Sequence, residues 1–134
     1  EWNSIMDSNY LFVYGTLLQD FNNAMSRFLT EQASFVAKGY FNGKLFEIDN
    51  FPGAILSNLE SEKVYGSIYK ISDIHKTFEV LDAYEGVSDG LYKRLLVEAH
   101  LNSGNTVKTW AYIFNHSTNH LKQILSGDYL KRSN

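Results

Sequence analysis

The sequence contains no cysteine among its 134 residues, and it has a single proline. The absence of cysteine excludes disulfide bonds, zinc sites built from thiolates and a cysteine nucleophile. Pro52 lies in Asn50-Phe51-Pro52-Gly53, a combination typical of turns, and we predict a turn there. The chain therefore needs a hydrophobic core to hold its fold, and a length of 134 residues is enough for one.

Positive charge and long apolar runs are also scarce. The 12 Lys and Arg residues are outnumbered by 15 Asp and Glu residues, for a net charge of -3. Nucleic acid is therefore not an expected partner, because phosphate backbones require a basic surface. No run of roughly 18 apolar residues is present, so no membrane partner is expected. Residues 1–9 lack the layout of a secretory signal, and a cytoplasmic location fits best.

Apolar and aromatic residues are abundant, at 44% and 15% of the chain. This composition and length predict one globular domain, which we place over residues 10–134. Residues 1–9 are expected to form an N-terminal extension, whose first part, before Met6, can derive from cloning.

Hydrophobic spacing predicts short strands with few helices between them. A buried strand is predicted at Tyr10–Tyr14 and an amphipathic helix over residues 20–32. Later segments read as strands at Ser34–Phe41, Lys44–Ile48, Gly53–Ser57, Val64–Ile71, Tyr92–Leu101 and Thr106–Phe114, with bends at Gly43 and Gly53. A second helix starts after Ser72-Asp73, and a short helix is predicted near Asn119–Leu125. This order favours an α+β fold with a strongly curled sheet of about six or seven strands and two or three helices.

The second helix carries a candidate catalytic residue. Ile74, Phe78, Leu81 and Glu85 fall at i, i+4, i+7 and i+11, which places Glu85 about 20° around the helix from Ile74. A carboxylate at the end of an apolar stripe would be desolvated, and its pKa would rise toward the range of a general base. Alternatively, the helix ends near Ala83 and Glu85 is free in the next loop. The sequence weighs these readings about evenly.

A second candidate is the turn Tyr14-Gly15-Thr16-Leu17, between the first strand and the first helix. Such turns expose backbone N–H groups that can hold a carboxylate or an oxyanion. Two further pairs are weaker. Asp82 and Glu85 form an acidic pair of the kind usually found on solvated helix surfaces. His116 and His120 could hold a metal if they were helical, but no third ligand is evident.

Several short motifs occur together in the order found in one family. These are Tyr14-Gly15-Thr16-Leu17, Gly43-Lys44-Leu45-Phe46, Phe51-Pro52-Gly53-Ala54, Val64-Tyr65-Gly66, Leu81-Asp82-Ala83-Tyr84-Glu85-Gly86, Tyr92-x-Arg94, Ala111-Tyr112 and Gly127-Asp128-Tyr129. In this order the chain resembles the γ-glutamylcyclotransferase-like family over roughly residues 10–130, and most of all its small γ-glutamylamine cyclotransferase branch. That branch often has a basic residue and a glycine where this chain has Leu18-Gln19-Asp20. The resemblance therefore does not determine the side of the pocket that would bind the leaving group.

The resemblance implies a compact mixed β-barrel flanked by helices and a specific reaction. In that reaction the α-amine of a γ-glutamyl amine or peptide attacks its own γ-carbonyl, which closes 5-oxoproline and releases an amine or amino acid. It is an intramolecular aminoacyl transfer, or lyase-type release, that needs no metal or cofactor. The resemblance makes Glu85 the general acid and base, and backbone groups of Tyr14, Gly15, Thr16 and Leu17 the holders of the small-molecule substrate.

Aromatic residues are expected at the wall of the same site. Tyr112 is the first candidate, and Tyr92 and Tyr129 follow, although any single tyrosine is more often a core residue. Arg94 reads as a structural ion-pair partner. Two other functions stay open: a non-catalytic ligand-binding module on the same fold, and an unrelated aromatic barrel that binds an apolar ligand. Whether the protein is a monomer or a homodimer is not decided by the sequence.

Overall fold

The computed structural model describes residues 8–14, 24–49 and 51–131. The elements in chain order are β1 (Tyr10–Val13), α1 (Ala24–Gln32), β2 (Ala33–Ile48), β3 (Phe51–Leu56), β4 (Lys63–Ile71), α2 (Ile74–Tyr84), β5 (Tyr92–Leu101), β6 (Thr106–Phe114), β7 (Lys122–Gln123) and a 3₁₀ helix (Tyr129–Lys131). This is the α+β composition predicted from the sequence. Within the described ranges, no helix is both long and apolar enough to cross a membrane.

Five strands close into a barrel in the order β2, β4, β1, β6, β5 and back to β2. β1 pairs with β4 in antiparallel and with β6 in parallel orientation, while β5 and β6 form an antiparallel hairpin. The pairing of Gly39 with Leu101 and Tyr40 with His100 closes the ring between β2 and β5. β3 and β7 extend the sheet from the far end of β2. The predicted curled sheet with flanking helices is therefore confirmed.

The predicted bends at the glycines are wrong, because β2 runs without interruption from Ala33 to Ile48. A Cβ added at Gly43 would lie 2.4 Å from the carbonyl oxygen of Ile55, so this glycine allows close approach of β3. Gly53 lies inside β3, where a Cβ would lie 2.1 Å from Ile48 Cδ1. Pro52 also belongs to β3 and not to a turn. The direction reverses one step earlier, near Asp49, whose φ is 42°.

The predicted C-terminal helix is wrong as well. The segment Asn119–Leu125 contains turns and the short strand β7, which pairs with Phe46 and Glu47 of β2. Ile124 then donates its backbone N–H to the carbonyl oxygen of Leu45, at 2.7 Å. The edge of β2 thus offers this segment backbone partners that a short isolated helix would lack, and helices this short are marginal alone.

The second helix forms where it was predicted. Asp73 caps its N-terminus by accepting a hydrogen bond from the backbone N–H of Lys76, at 3.1 Å. Phe78 and Leu81 are buried, in a cluster that also contains Leu11 of β1 and Tyr112 of β6. The apolar stripe therefore packs α2 against the barrel wall and directs its C-terminal end toward β5 and β6.

Candidate active site

The last turn of α2 sets the position of Glu85. The helix ends at Tyr84, and Glu85 is its C-cap, with its backbone N–H directed at the carbonyl oxygen of Leu81, 2.8 Å away. Gly86 follows with φ 71°, the left-handed conformation in which glycine commonly ends a helix. Glu85 lies four residues after the fully buried Leu81, so its side chain is on the same helix face. The helix thus ends one residue after Ala83, as the alternative expected, but Glu85 is half-buried and not free in the loop.

Burial removes much of the solvent around the Glu85 carboxylate, and Tyr14, Tyr92 and Tyr112 lie within its electrostatic reach. Within residues 8–14, 24–49 and 51–131, no lysine, arginine or histidine nitrogen lies within ion-pair distance of it. Burial raises its pKa from 4.5 to about 7. At neutral pH the group is therefore divided between its acidic and basic forms, as a proton-transfer catalyst should be.

Tyr14 lies directly after β1, and its hydroxyl joins three strands. The hydroxyl donates to the carbonyl oxygen of Tyr112 at 2.5 Å and accepts from the backbone N–H of Ala54 at 3.1 Å. Burial raises the pKa of Tyr14 well above its usual value, and the charges of Tyr92 and Glu85 raise it further. Tyr14 is therefore neutral at physiological pH and within electrostatic reach of Glu85.

Tyr92 is a second buried tyrosine near Glu85. Its hydroxyl donates to the carbonyl oxygen of Pro52 on β3. Burial raises the pKa of Tyr92, and Glu85 and Tyr129 contribute to the rise. Tyr129, in the 3₁₀ helix, donates to Glu47 Oε2 at 3.3 Å. Both tyrosines are core residues, as their type predicts, and Tyr92 is within electrostatic reach of Glu85.

Tyr112 is linked to α2 through Asp82. Its hydroxyl donates to Asp82 Oδ1 at 2.7 Å, and the same carboxylate accepts two bonds from Arg94, Nε to Oδ1 at 2.9 Å and Nη2 to Oδ2 at 3.2 Å. Burial raises the pKa of Tyr112, followed by the hydrogen bond to Asp82 and by the charges of Asp82 and Glu85. Asp82, Glu85 and Tyr112 therefore belong to one electrostatic environment.

The Arg94 guanidinium contacts two aromatic rings as well as the Asp82 carboxylate. Its guanidinium carbon lies 4.1 Å from the ring centre of Phe78 and 4.5 Å from that of Trp110. Stacking on aromatic faces and a two-point carboxylate bond are both favourable for guanidinium. The prediction of Arg94 as an ion-pair partner is confirmed. The prediction that the acid pair on α2 is solvated surface is wrong for Asp82, whose carboxylate is partly buried in this network.

The candidate site residues divide into two groups. The structure brings Tyr14, Glu85 and Tyr112 into one electrostatic neighbourhood, together with Tyr92. Gly15, Thr16 and Leu17 lie outside the described residues, so their part in substrate binding stays a prediction.

Two other features lie apart from Glu85. His116 and His120 are in a turn segment and not in a helix, so the i, i+4 geometry considered for a metal does not form. A surface pocket of about 370 Å³, lined in part by Lys44, Lys63 and Gly127, contains none of the predicted site residues.

Sequence reasoning missed the role of Asp82. The feature that points to it is the pairing of β5 with β6, in which Arg94 lies directly opposite Tyr112. Arg94 and Tyr112 both donate hydrogen bonds, so a carboxylate on the neighbouring helix α2 can bind them together. That feature requires the strand register, and the sequence does not provide it.

Comparisons with known proteins identify the family of the chain. Residues 11–131 match the family model described as gamma-glutamyl cyclotransferase, AIG2-like. A putative gamma-glutamylcyclotransferase of Methanocaldococcus jannaschii is 30% identical over 120 residues, which cover 90% of this chain and 94% of that protein. The gamma-glutamylcyclotransferase family protein YtfP of Escherichia coli is 30% identical over 122 residues, which cover 91% of this chain and 96% of that protein.

Solved structures show the same fold. An AIG2-like protein from mouse superposes with a TM-score of 0.66 at 21% identity, covering 81% of this chain and 79% of that one. A structure described as gamma-glutamyl cyclotransferase superposes with a TM-score of 0.62 at 18% identity, covering 85% and 68%. With a family model that spans nearly the whole barrel and relatives at 30% identity over almost their full length, the chain is a member of the AIG2-like gamma-glutamyl cyclotransferase family of enzymes.

Proposed function

We propose that this protein converts a γ-glutamyl amine or γ-glutamyl peptide to 5-oxoproline and releases the free amine or amino acid, with Glu85 as general acid and base. The observation that carries the proposal is the position of Glu85. Its carboxylate is half-buried at the end of α2, its pKa is raised to about 7, and three neutral tyrosines lie within its electrostatic reach.

The reaction requires proton transfers and no external nucleophile. The α-nitrogen of the substrate enters as an ammonium with three protons and ends as a lactam N–H with one. Its lone pair forms the new bond to the γ-carbonyl carbon, and the bond from that carbon to the leaving nitrogen breaks. The leaving nitrogen gains the two protons and departs as an ammonium. Atoms and charge therefore balance without water or a co-reactant.

Glu85 can carry these protons because its two forms are close in free energy at neutral pH. The carboxylate accepts a proton from the α-ammonium and frees the nitrogen to attack. The resulting acid can then protonate the leaving nitrogen, which restores the carboxylate. The restored carboxylate can carry the second proton from the ring nitrogen to the leaving amine in the same way. A positioned group of this kind contributes roughly 10²- to 10⁴-fold to a rate. The backbone N–H groups of residues 14–17 are proposed to hold the glutamyl part of the substrate in its folded, reactive shape.

A substrate screen tests the proposal. The protein is incubated with a panel of γ-glutamyl alkylamines and γ-glutamyl dipeptides, and 5-oxoproline is measured by liquid chromatography. Two matched controls report the mechanism. An α-N-acetyl derivative of the active compound lacks the nucleophile, and the α-linked isomer cannot close a five-membered lactam by the same attack. We expect release from the parent compound and none from either control.

The screen also separates the proposed enzyme from the alternative of a binding module on the same fold. Release of 5-oxoproline from the N-acetyl control would contradict attack by the α-amine. Saturable binding of γ-glutamyl compounds, measured by calorimetry, without 5-oxoproline from any of them would favour the binding module.

A further inference from the structure

The position of the proton on the Tyr112 hydroxyl is fixed by Asp82. A phenol carries a single proton, and the Tyr112 proton is directed at Asp82 Oδ1, 2.7 Å away. An ionised carboxylate accepts hydrogen bonds and cannot donate one. The Tyr112 oxygen can therefore only accept a hydrogen bond from another molecule.

Asp82 is itself held in place. Arg94 binds both carboxylate oxygens, and this fork fixes the plane of the group as well as its distance. The guanidinium cannot tilt freely, because Phe78 and Trp110 lie against it at 4.1 and 4.5 Å. The arrangement therefore restricts rotation of Asp82 and, through it, rotation of the Tyr112 hydroxyl.

The hydroxyls of the other two tyrosines near Glu85 also donate their protons to the protein. The Tyr14 hydroxyl donates to the carbonyl oxygen of Tyr112, and the Tyr92 hydroxyl donates to that of Pro52. The hydroxyl protons of Tyr14, Tyr92 and Tyr112 are all engaged by the protein. The Tyr14 oxygen already accepts from the backbone N–H of Ala54. The lone pairs of Tyr92 and Tyr112, within electrostatic reach of the Glu85 carboxylate, suit a group rich in N–H donors and do not suit an oxyanion.

We propose that Asp82, held by Arg94, is a positioning residue that keeps the Tyr112 hydroxyl as a hydrogen-bond acceptor for the α-ammonium group of the substrate. This inference rests on the proposed function, since it names what Tyr112 does for the same substrate. Tyr112 contacts the ammonium, and Asp82 acts through Tyr112 without contacting the substrate. The acceptor also directs one N–H bond of the ammonium away from Glu85, which leaves another free to face the carboxylate.

A double-mutant cycle tests the coupling. We expect Tyr112→Phe to raise KM about 10- to 100-fold, the scale of one hydrogen bond to a charged group, with a smaller change in kcat. Asp82→Ala should raise KM by about 10-fold. The double variant should be no worse than Tyr112→Phe alone, because Asp82 has nothing left to orient. Losses that multiply in the double variant would overturn the proposal, as would an unchanged KM in Tyr112→Phe.

A conservative variant and a substitute partner keep the cycle decisive. Asp82→Asn retains an oxygen that accepts the Tyr112 proton, so its KM should return close to the parental value. A purely structural role through the charge pair predicts that Asn fails like Ala. If Asp82→Ala does not fold, Arg94→Lys replaces it in the cycle, because lysine keeps the charge but cannot bind both carboxylate oxygens.

A spectroscopic measurement tests the same inference without turnover. In protein labelled with ¹³C at tyrosine Cζ, Tyr112→Phe identifies the Tyr112 signal, which reports hydrogen bonding of the hydroxyl. Asp82→Ala should move this signal upfield, and Asp82→Asn should restore most of the difference. In the Glu85→Gln background, a γ-glutamyl alkylamine should shift the signal and its α-N-acetyl analogue should not.

These measurements distinguish the two ideas. A parent protein that releases no 5-oxoproline would contradict the proposed function while the Tyr112 signal still responds to Asp82 and to the free ammonium. A signal that ignores both would overturn the positioning role even in an active enzyme.

Discussion

Two carboxylates on the last turn of α2 lie three residues apart in very different surroundings. Asp82 has a two-point bond to Arg94 and accepts the proton of Tyr112. Glu85 is half-buried without an ion-pair partner among the described residues, and its pKa rises to about 7. The helix supplies nearly the same geometry to both acids. The difference therefore comes from their neighbours, since Arg94 of β5 and Tyr112 of β6 both bind Asp82.

The comparison shows that binding a cation and acting as a base make opposite demands on a carboxylate. A carboxylate bound by a fixed cation contributes geometry, as Asp82 does. A carboxylate kept away from cations is less stable as an anion, and that lowered stability makes it useful as a base.

The largest expected effect comes from Glu85→Gln, which keeps the shape of the side chain but removes its basicity. We expect kcat to fall by about 10²- to 10⁴-fold with folding intact. Glu79→Gln is the matched control, because it makes the same chemical change at an exposed position of α2. Its kcat should equal that of the parent. A Glu85→Gln variant with near-parental kcat would remove Glu85 as the base.

The second effect is on the pH dependence of the parent enzyme. With a pKa of about 7, Glu85 loses its basic form as the pH falls below neutrality. We expect kcat/KM to decrease about tenfold per pH unit below this value, measured from pH 5 to 8. The buried tyrosines have raised pKa values and stay neutral throughout that range. A profile that stays flat down to pH 5 would instead mean that Glu85 is as solvated as an ordinary glutamate.

The third effect concerns stability and the Asp82 side of the comparison. Arg94→Met removes the two-point bond and leaves a partly buried carboxylate without its cation, which should lower the free energy of unfolding by about 2–3 kcal/mol. Lys44→Met is the control, since the Lys44–Glu62 pair is longer, at 3.7 Å, and its lysine is more exposed. That change should cost less than about 0.5 kcal/mol. Equal losses in urea denaturation would contradict the special position of Arg94.

The smallest effect is the pH dependence of stability contributed by Glu85. Its pKa is higher in the folded than in the unfolded chain, so the folded state binds the proton more tightly between about pH 4.5 and 7. The parent should therefore lose stability relative to Glu85→Gln as the pH rises through this window, by on the order of 2 kcal/mol, and the difference should be constant above it. Parallel unfolding curves for the two proteins at pH 5 and pH 8 would contradict the raised pKa.

Much of this fold could be predicted from the sequence, because the interactions concerned join residues that are close in the chain. The apolar stripe of α2 and its Asp73 cap depend on residues within a few turns of each other, and both were predicted correctly. Bends at Gly43 and Gly53 were not, because a glycine signals either a turn or a close approach of another strand. The distance to Ile55 and Ile48 decides between them, and that distance belongs to the folded barrel.

The candidate site shows the same limit. The helical period offered a buried Glu85 as one of two evenly weighed readings, and the ordered motifs indicated the family that the comparisons confirm. The network of Asp82 with Arg94 and Tyr112 spans three elements, and its logic appears once the register of β5 and β6 is known. The part assigned to Gly15, Thr16 and Leu17 stays a prediction, since these residues are outside the described ranges.

The seam between β2 and β5, where Gly39 and Tyr40 pair with Leu101 and His100, has a consequence for local opening of the barrel. β2 pairs with β4 from Ala33 to Asn42, but it joins β5 through Gly39 and Tyr40. A Cβ at Gly39 would lie 2.3 Å from the carbonyl oxygen of His100, so the strands touch where no side chain fits between them. Opening this short seam breaks few bonds and turns the closed ring into an open, curled sheet. Amide hydrogens along it should therefore exchange with deuterated water sooner than those between β2 and β4.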